Sequence, residues 1–223
     1  AELGFRTVNE MIGRVDKLET SEAINHWSKT KGIDLSPMLM KPDVPDDFAT
    51  HHVMNQDHGL EKALDHELIA QAAPSLRDKK RVTVRLPIRN ANRTVGAMLA
   101  GEVAKKYGED GLPHDTFQVE FTGSAGQSYG AFLAKGMSFE LEGDTNDYFA
   151  KGMSGGRLVV VPPRQSTFVA EENVIMGNVA LYGATGGEAF IRGLAGERFG
   201  VRNSGANAVV EGIGDHGCAY MTN

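Results

Sequence analysis

Apolar residues near the start of the chain recur at helical spacing. Val8, Met11 and Val15 fall on one face of a helix, so residues 7–19 are predicted to form an amphipathic helix with Thr7 as its N-cap. The chain therefore begins with helical rather than strand periodicity.

Helical and strand periodicities alternate through the rest of the first half. A second helix is predicted over residues 59–73, where apolar positions share one face until Pro74 interrupts them. Strict alternation predicts strands at Val82–Ile88 and Phe117–Phe121, with a short helix over Thr94–Tyr107 between them. A mixed helical and extended segment is therefore expected before residue 123.

The second half is a succession of short apolar runs whose centres lie about 18 to 21 residues apart. Such a period with short strands predicts a solenoid, and an all-β sandwich is the alternative because it also has many short strands. The main runs are Met137–Leu141, Leu158–Val161, Val179–Tyr182, Phe199–Arg202 and Cys218–Met221, with secondary runs at Ala189–Arg192 and Ala208–Glu211.

The two halves of the chain also differ in glycine content. Of 27 glycines, 8 lie in residues 1–122 and 19 in residues 123–223. Many stand in Gly-x-x-Gly pairs, which suit tight corners because glycine accepts positive φ and close backbone approach. The predicted structural corners are Gly123, Gly126, Gly130, Gly152, Gly155, Gly183, Gly186, Gly193, Gly196 and Gly200.

Charge and cysteine content narrow the function classes. The formal net charge is -6 and no stretch is densely basic, so nucleic acid is not expected as a partner. The single Cys218 cannot form an internal disulfide or hold an iron-sulfur cluster or zinc ion alone. No apolar run approaches the roughly 20 residues of a membrane helix. A soluble cytoplasmic protein is predicted.

Two glycine-rich stretches resemble nucleotide motifs. Gly212–Gly217 matches G-x-G-x-x-G, but that motif needs a helix behind it, and the following residues are predicted as a strand. Gly123–Gly130 lacks the lysine of a phosphate loop. Both are interpreted as structural corners.

The remaining candidates for catalytic or metal-binding residues are acidic residues and histidines. Paired carboxylates on a β-helix can cleave polysaccharides, so Glu140, Glu142, Asp144 and Asp147 support an enzymatic alternative, although they equally suit a solvated strand face. The clustered histidines lack metal-site spacing and are interpreted as ordinary polar residues. They are His51, His52, His58 and His66. No catalytic, cofactor-binding or metal-ligating residue is predicted.

Across essentially its whole length, the chain resembles the C-terminal GXGXG domain of the glutamate synthase large (alpha) subunit. The matching stretches include Glu2–Arg6, Ile12–Arg14, Gln56–Leu60, Ile88–Asn90, Arg93–Gly96, Gly123–Gly130, Asn146–Tyr148, Lys151–Gly156, Leu181–Gly187, Gly196–Gly205 and Val210–Cys218.

The resemblance implies a mainly β fold, a right-handed parallel β-helix preceded by a mixed helical and extended segment. It also implies a parent enzyme that hydrolyses glutamine, passes ammonia through a tunnel, and converts 2-oxoglutarate to glutamate with FMN and an iron-sulfur cluster. Electrons come from NAD(P)H through an FAD-containing partner, or from ferredoxin. No cofactor is expected in this segment, whose implied role is a scaffold with no activity of its own.

The expected domain organisation follows from the same resemblance. Residues 1–80 are a lead-in from the synthase-domain junction, and residues 81–223 are the glycine-rich β-helix, cut short at its C-terminus. The expected partners are the other domains of the large subunit, the small reductase subunit, and a second copy at the open last coil. Alternatives are a polysaccharide-active enzyme and an assembly subunit like that of formylmethanofuran dehydrogenase.

Overall fold

The computed structural model describes residues 2–21, 29 and 32–222, which fall in two compact units, Ala1–His58 and Gly59–Asn223. The first unit contains helix α1, Val8–Met11, capped by Thr7, whose hydroxyl accepts a hydrogen bond from the Glu10 N–H at 3.3 Å. A 3-10 turn follows at Val15–Lys17. The predicted helix over residues 7–19 is too long, because the backbone is extended at Ile12 and turns to positive φ at Gly13.

The second unit begins with short helices. After a 3-10 turn at Leu60–Lys62 come α2, Asp65–Gln71, and α3, Ala73–Asp78. The helix predicted over residues 59–73 begins later, at Asp65, and ends two residues early, at Gln71. Pro74 lies in the first turn of the next helix, α3, where its missing N–H costs nothing. Helix α4 runs over Ala97–Tyr107, close to the prediction, and continues as a 3-10 turn at Gly108–Asp110.

Seven parallel strands form one sheet in the second unit. The order is β1-β2-β3-β4-β6-β5, with β7 beside β6 and an additional pairing of β3 with β5. A 3-10 turn at Ala170–Glu172 precedes β5. The strands are β1, Val82–Ile88; β2, Phe117–Ala125; β3, Met137–Thr145; β4, Ser154–Val161; β5, Val174–Met176; β6, Gly186–Ala195; and β7, Asn207–Ile213.

The fold-class prediction of a mainly β, right-handed parallel β-helix is wrong. The described residues form a single seven-stranded parallel sheet combined with helices, which is an α/β arrangement. Three main runs predicted as coil strands are turns, at Val179–Tyr182, Phe199–Arg202 and Cys218–Met221. The weaker runs at Ala189–Arg192 and Ala208–Glu211 lie in β6 and β7. The main runs at Met137–Leu141 and Leu158–Val161 do lie in strands, β3 and β4, so apolar content separated strands from turns only in part.

The turns that follow the strands share an unusual backbone. In each of five turns, every second residue has a positive φ, between 54° and 70°, and most of these residues are not glycine. These left-handed positions are Ser128, Gly130 and Phe132; Tyr148, Ala150 and Gly152; Val179, Leu181 and Gly183; Arg198, Gly200 and Arg202; and His216, Cys218 and Tyr220. We call these segments the left-handed turns.

Strands and left-handed turns together enclose the core. Register places Val119 beside Phe139 and Phe139 beside Leu158, and all three side chains are buried. The Phe121 ring meets Phe139 and Tyr129 edge to face, with centroids 5.5 and 5.6 Å apart. Because Tyr129 belongs to a left-handed turn, both kinds of segment contribute aromatic rings to one cluster.

Candidate functional site

The left-handed turns stack on one another through backbone hydrogen bonds. In the turn that starts at Tyr148, the N–H groups of Tyr148 and Gly152 donate forward to Asn178 and Tyr182 carbonyls, at 2.8 and 2.9 Å. The middle residue, Ala150, donates backward to a carbonyl of the preceding turn at 2.9 Å. The same alternation of two forward bonds and one backward bond recurs in the turns starting at residues 128, 179 and 198. These bonds satisfy the backbone without extended strands.

A buried carboxylate closes the start of this stack. Asp65 is 2 % exposed, and its oxygens accept hydrogen bonds at 2.9, 2.9 and 3.1 Å from the N–H groups of Gly96, Met98 and Leu99. Burial raises the pKa of the Asp65 carboxyl above its ordinary value, while the three N–H donors oppose that shift. Asp65 therefore caps α4, whose first N–H groups have no partner within the helix.

Sequence reasoning missed Asp65, because its three partners lie 31 to 34 residues away in the chain. An aspartate at the start of a short helix gives no sign that it caps a different helix. Its burial is also unusual for this residue type.

The predicted structural glycines lie in several settings. Gly123, Gly155, Gly186 and Gly193 are inside strands; Gly126 and Gly196 directly follow strands; and Gly130, Gly152, Gly183 and Gly200 are in left-handed turns. Gly123 and Gly143 lie where the backbones of adjacent strands approach closely. A Cβ on Gly143 would lie 1.7 Å from the Gly123 carbonyl oxygen, and a Cβ on Gly123 would lie 2.1 Å from the Ile88 carbonyl oxygen. A side chain at either position is incompatible with this spacing.

Three of the four acidic candidates contact protein groups. Glu142 accepts a hydrogen bond from the Arg164 N–H at 2.8 Å and lies 3.5 Å from its guanidinium. Asp144 accepts from the Ser124 hydroxyl at 2.5 Å, and Asp147 accepts from the Asn178 N–H at 2.8 Å. Glu140 has an exposed side chain on the outer face of β3. These three contacts connect neighbouring strands and turns.

The Gly212–Gly217 motif has the wrong surroundings for a dinucleotide. Strand β7 ends at Ile213, and a left-handed turn follows where the motif requires a helix N-terminus. Cys218 is exposed in that turn. The motif therefore forms a structural bend.

The histidine candidates show no shared site. The His66 Nε2 atom lies 2.9 Å from the Leu60 carbonyl oxygen, and His51 lines a cavity of about 670 Å³ in the first unit. In the described part of the chain, no three His, Cys, Asp or Glu side chains are grouped to hold a metal ion. No helix within residues 2–21, 29 and 32–222 is long and apolar enough to cross a membrane.

Comparison with known proteins places these features in a family. Residues 65–223 match the GXGXG motif family. The chain belongs to that family. This GXGXG domain is 55% identical to the glutamate synthase [NADH] of Schizosaccharomyces pombe and 50% identical to the glutamate synthase [NADPH] large chain of Bacillus subtilis, in both cases over 100% of its own length.

A third relative belongs to the ferredoxin branch. The GXGXG domain is 44% identical to the chloroplastic ferredoxin-dependent glutamate synthase of Oryza sativa subsp. japonica over 99% of its length. It covers only 10% of the fission-yeast protein and 14% of each of the other two. The GXGXG domain thus corresponds to a small part of a much larger enzyme in each relative.

Proposed function

We propose that this chain is a non-catalytic structural domain of a glutamate synthase, and that it packs against the amidotransferase and FMN-binding parts of the larger enzyme. The parent reaction converts glutamine, 2-oxoglutarate and reductant to two molecules of glutamate. The observation that carries the proposal is that polar side chains accept hydrogen bonds from backbone N–H groups and so fix the backbone. Asp65 caps α4, Asp147 binds the Asn178 N–H, and the Asn178 side chain accepts from the Glu197 N–H at 2.8 Å.

Exposed apolar side chains of the first unit support the proposed contact with other domains. In this stretch of fewer than 60 residues, Leu3, Met38, Met40 and Met54 are each at least 70% exposed. A concentration of apolar surface on a short segment is typical of a surface that is covered in an assembly. We assign that cover to the remainder of the large subunit, of which the relatives contain far more than the matched part.

The residues of this chain are not suited to hold FMN or an iron-sulfur cluster, the cofactors implied for the parent enzyme. An iron-sulfur cluster requires several thiolates, and this sequence has one cysteine, Cys218. A flavin phosphate is commonly held by a glycine-rich turn that opens a helix, whereas the Gly123–Gly130 stretch continues into a left-handed turn. We therefore assign FMN and the cluster to other parts of the parent enzyme.

The relatives of this chain differ in their electron donor. Their names specify NADH, NADPH and ferredoxin. A small reductase subunit as a partner and a cytoplasmic location remain predictions, and one of these relatives is chloroplastic.

The proposal is tested with the purified chain, by an absorbance spectrum and then by glutamate formation from glutamine and 2-oxoglutarate with each reductant. The same assay follows after mixing with a glutamate synthase preparation that lacks this segment. We expect a colourless, inactive chain that restores or stabilises activity on mixing. Flavin absorbance or turnover by the chain alone would contradict the structural role.

A further inference from the structure

One strand position in the sheet is split in two by a segment that leaves the sheet. Strand β3 pairs with β4 as far as Glu142 and with β5 at Thr145. Strand β6 pairs with β4 as far as Ile191 and with β5 from Leu194. Strands β4 and β5 therefore share one position between β3 and β6, and residues 162–173 interrupt it. We call residues 162–173 the excursion.

The excursion is longer than the connection that the sheet requires. On β3, only Gly143 and Asp144 separate the last residue paired with β4 from the residue paired with β5. Along the chain, by contrast, twelve residues separate β4 from β5. Long insertions into a regular scaffold are usually functional, because loops positioned by a rigid framework carry binding residues.

Hydrogen bonds fix the excursion at both of its ends. Near its start, the Arg164 N–H donates to the Glu142 carboxylate at 2.8 Å, and the Arg164 guanidinium lies 3.5 Å from the same group. Near its end, the Asn173 amide donates to the Val169 carbonyl at 2.8 Å, and the Asn173 carbonyl accepts from the Leu194 N–H of β6 at 2.9 Å. The excursion is therefore held in a defined conformation.

Large apolar side chains of this ordered region nevertheless face solvent. Phe168 and Val169 are 43% and 48% exposed, and Val174, the first residue of β5, is 64% exposed. We call these three residues the apolar anchors. Ordered apolar groups lose little conformational entropy when a partner covers them, and aromatic side chains are prominent among the residues that dominate binding energy at interfaces.

Acidic residues accompany the apolar anchors. Glu171 and Glu172 are exposed at the end of the excursion, and Asp144 lines the same cavity as Val174, a cavity of about 460 Å³. The only basic residue of the excursion, Arg164, is already paired with a carboxylate. The complementary surface is therefore apolar and carries lysine or arginine at its edge.

We propose that the excursion is a docking element, and that its partner is an apolar surface edged with lysine or arginine on the remainder of the large subunit. This proposal rests on the structural function proposed above and names the residues that make one of its contacts. The relatives support a partner in the same polypeptide, because the GXGXG domain is only 10% or 14% of each of them. A reductase subunit and a second copy of this chain are the alternative partners.

The apolar contact is tested by titrating the chain into a large-subunit preparation that lacks this segment and measuring the dissociation constant. Phe168→Ala should raise that constant at least about tenfold, because it removes an aromatic anchor. Phe132→Ala is the matched control, since Phe132 is 54% exposed in a left-handed turn outside the excursion; its constant should stay within about twofold of the wild type. Melting temperatures in dilute solution establish that both variants are folded.

The charge contact is tested by replacing Glu171 and Glu172 together with glutamine. The matched control is Glu109→Gln with Asp110→Asn, which removes the same charge from another exposed 3-10 turn. The excursion variant should raise the dissociation constant several-fold at low salt and weaken its dependence on salt concentration, because charge pairs that salt would screen are gone. The control should leave both quantities unchanged.

The outcomes distinguish this proposal from the proposed function. Wild-type binding that Phe168→Ala and the double glutamine variant leave unchanged would overturn the docking element while the structural function stands. Equal weakening by Phe168→Ala and Phe132→Ala would also overturn it, and no binding by the wild type would overturn both proposals. If Phe168→Ala instead weakens binding to the reductase subunit, or dimerisation in light scattering, and leaves binding to the large subunit unchanged, the assigned partner is wrong.

Discussion

Strands and left-handed turns in the second unit carry similar patterns of apolar and polar residues, yet their backbones differ. In β2, Val119 and Phe121 point inward and Glu120 points outward from extended backbone. In the turn starting at Tyr148, the Tyr148 side chain is exposed and Phe149 is fully buried, but Tyr148 and Ala150 have φ near +60°. Alternation of residues with positive φ and residues with negative φ places neighbouring side chains on opposite sides here, as the pleat does in a strand.

The comparison shows that a two-residue apolar period indicates on which side of the backbone each side chain lies. The period does not indicate whether φ is positive or negative. Left-handed φ costs a non-glycine residue roughly 1–2 kcal/mol, so repeated turns of this kind need compensation from the stacked backbone hydrogen bonds and the shared core. In the strands, by contrast, glycine is required where adjacent backbones approach closely. The variants below test this difference.

The largest expected effect comes from adding one methyl group to a strand glycine. In Gly143→Ala the new Cβ would lie 1.7 Å from the Gly123 carbonyl oxygen, so the free energy of unfolding should fall by at least about 3 kcal/mol. Gly183→Ala is the matched turn variant, since a Cβ there meets nothing within 4 Å in the described structure and only the φ of +62° is unfavourable. We expect it to cost about 1 kcal/mol.

Urea denaturation measures both glycine variants. Equal losses of stability in Gly143→Ala and Gly183→Ala would remove the distinction between strand and turn glycines.

The next effect concerns the cap at the start of the stack. Asp65→Ala leaves three N–H groups without their buried acceptor, and we expect a loss of about 2–3 kcal/mol in the free energy of unfolding. Glu67→Ala is the control, because Glu67 lies on the same helix and is exposed; its cost should stay within about 0.5 kcal/mol. Similar values for the two variants in thermal or urea unfolding would show that the cap is unimportant.

Substitution of a buried residue in a left-handed turn should raise the free energy of unfolding, whereas the variants above lower it. Tyr129 is fully buried, and its hydroxyl has no hydrogen-bond partner in the described structure. Burial raises the pKa of that hydroxyl well above its ordinary value. Tyr129→Phe removes the unsatisfied group and keeps the ring, so stability should rise by about 1 kcal/mol. A clear loss of stability would mean that the hydroxyl has a partner, such as an internal water molecule.

The smallest effect compares valines on the two backbones. Val179 has φ +61° in a left-handed turn, whereas Val209 lies in strand β7. Val179→Gly should raise the free energy of unfolding by about 0.5 kcal/mol, because relief of left-handed strain exceeds the entropy cost of glycine. Val209→Gly should lower it by about 1 kcal/mol. The same sign for both variants in urea unfolding would contradict the assigned backbones.

Sequence periodicity correctly predicted those elements whose backbone follows from the local pattern of apolar and polar residues. Strand β1, Val82–Ile88, has its predicted bounds, and α4 begins only three residues after its predicted start at Thr94. The turns were mistaken for strands because Leu181 and Phe199 are as apolar and buried as strand residues. Their left-handed backbone depends on hydrogen bonds to other turns, such as Leu181 N–H to Phe149, which no local pattern contains.

The family could be predicted more completely than the fold or the site. The GXGXG match over residues 65–223 confirms the resemblance to glutamate synthase large subunits. The β-helix that this resemblance implied is wrong, since the described strands form one sheet with helices. The Asp65 cap could not be predicted, because its partners are brought near by tertiary folding.

The central claim, a structural domain that supports a larger enzyme, is tested most directly by restoring glutamate formation to a glutamate synthase preparation that lacks this segment. The wild-type chain and Gly183→Ala should restore it, Gly143→Ala should fail, and none of the three should turn over alone. Turnover by the isolated chain, or full restoration by a Gly143→Ala chain that is unfolded in the same buffer, would contradict the claim.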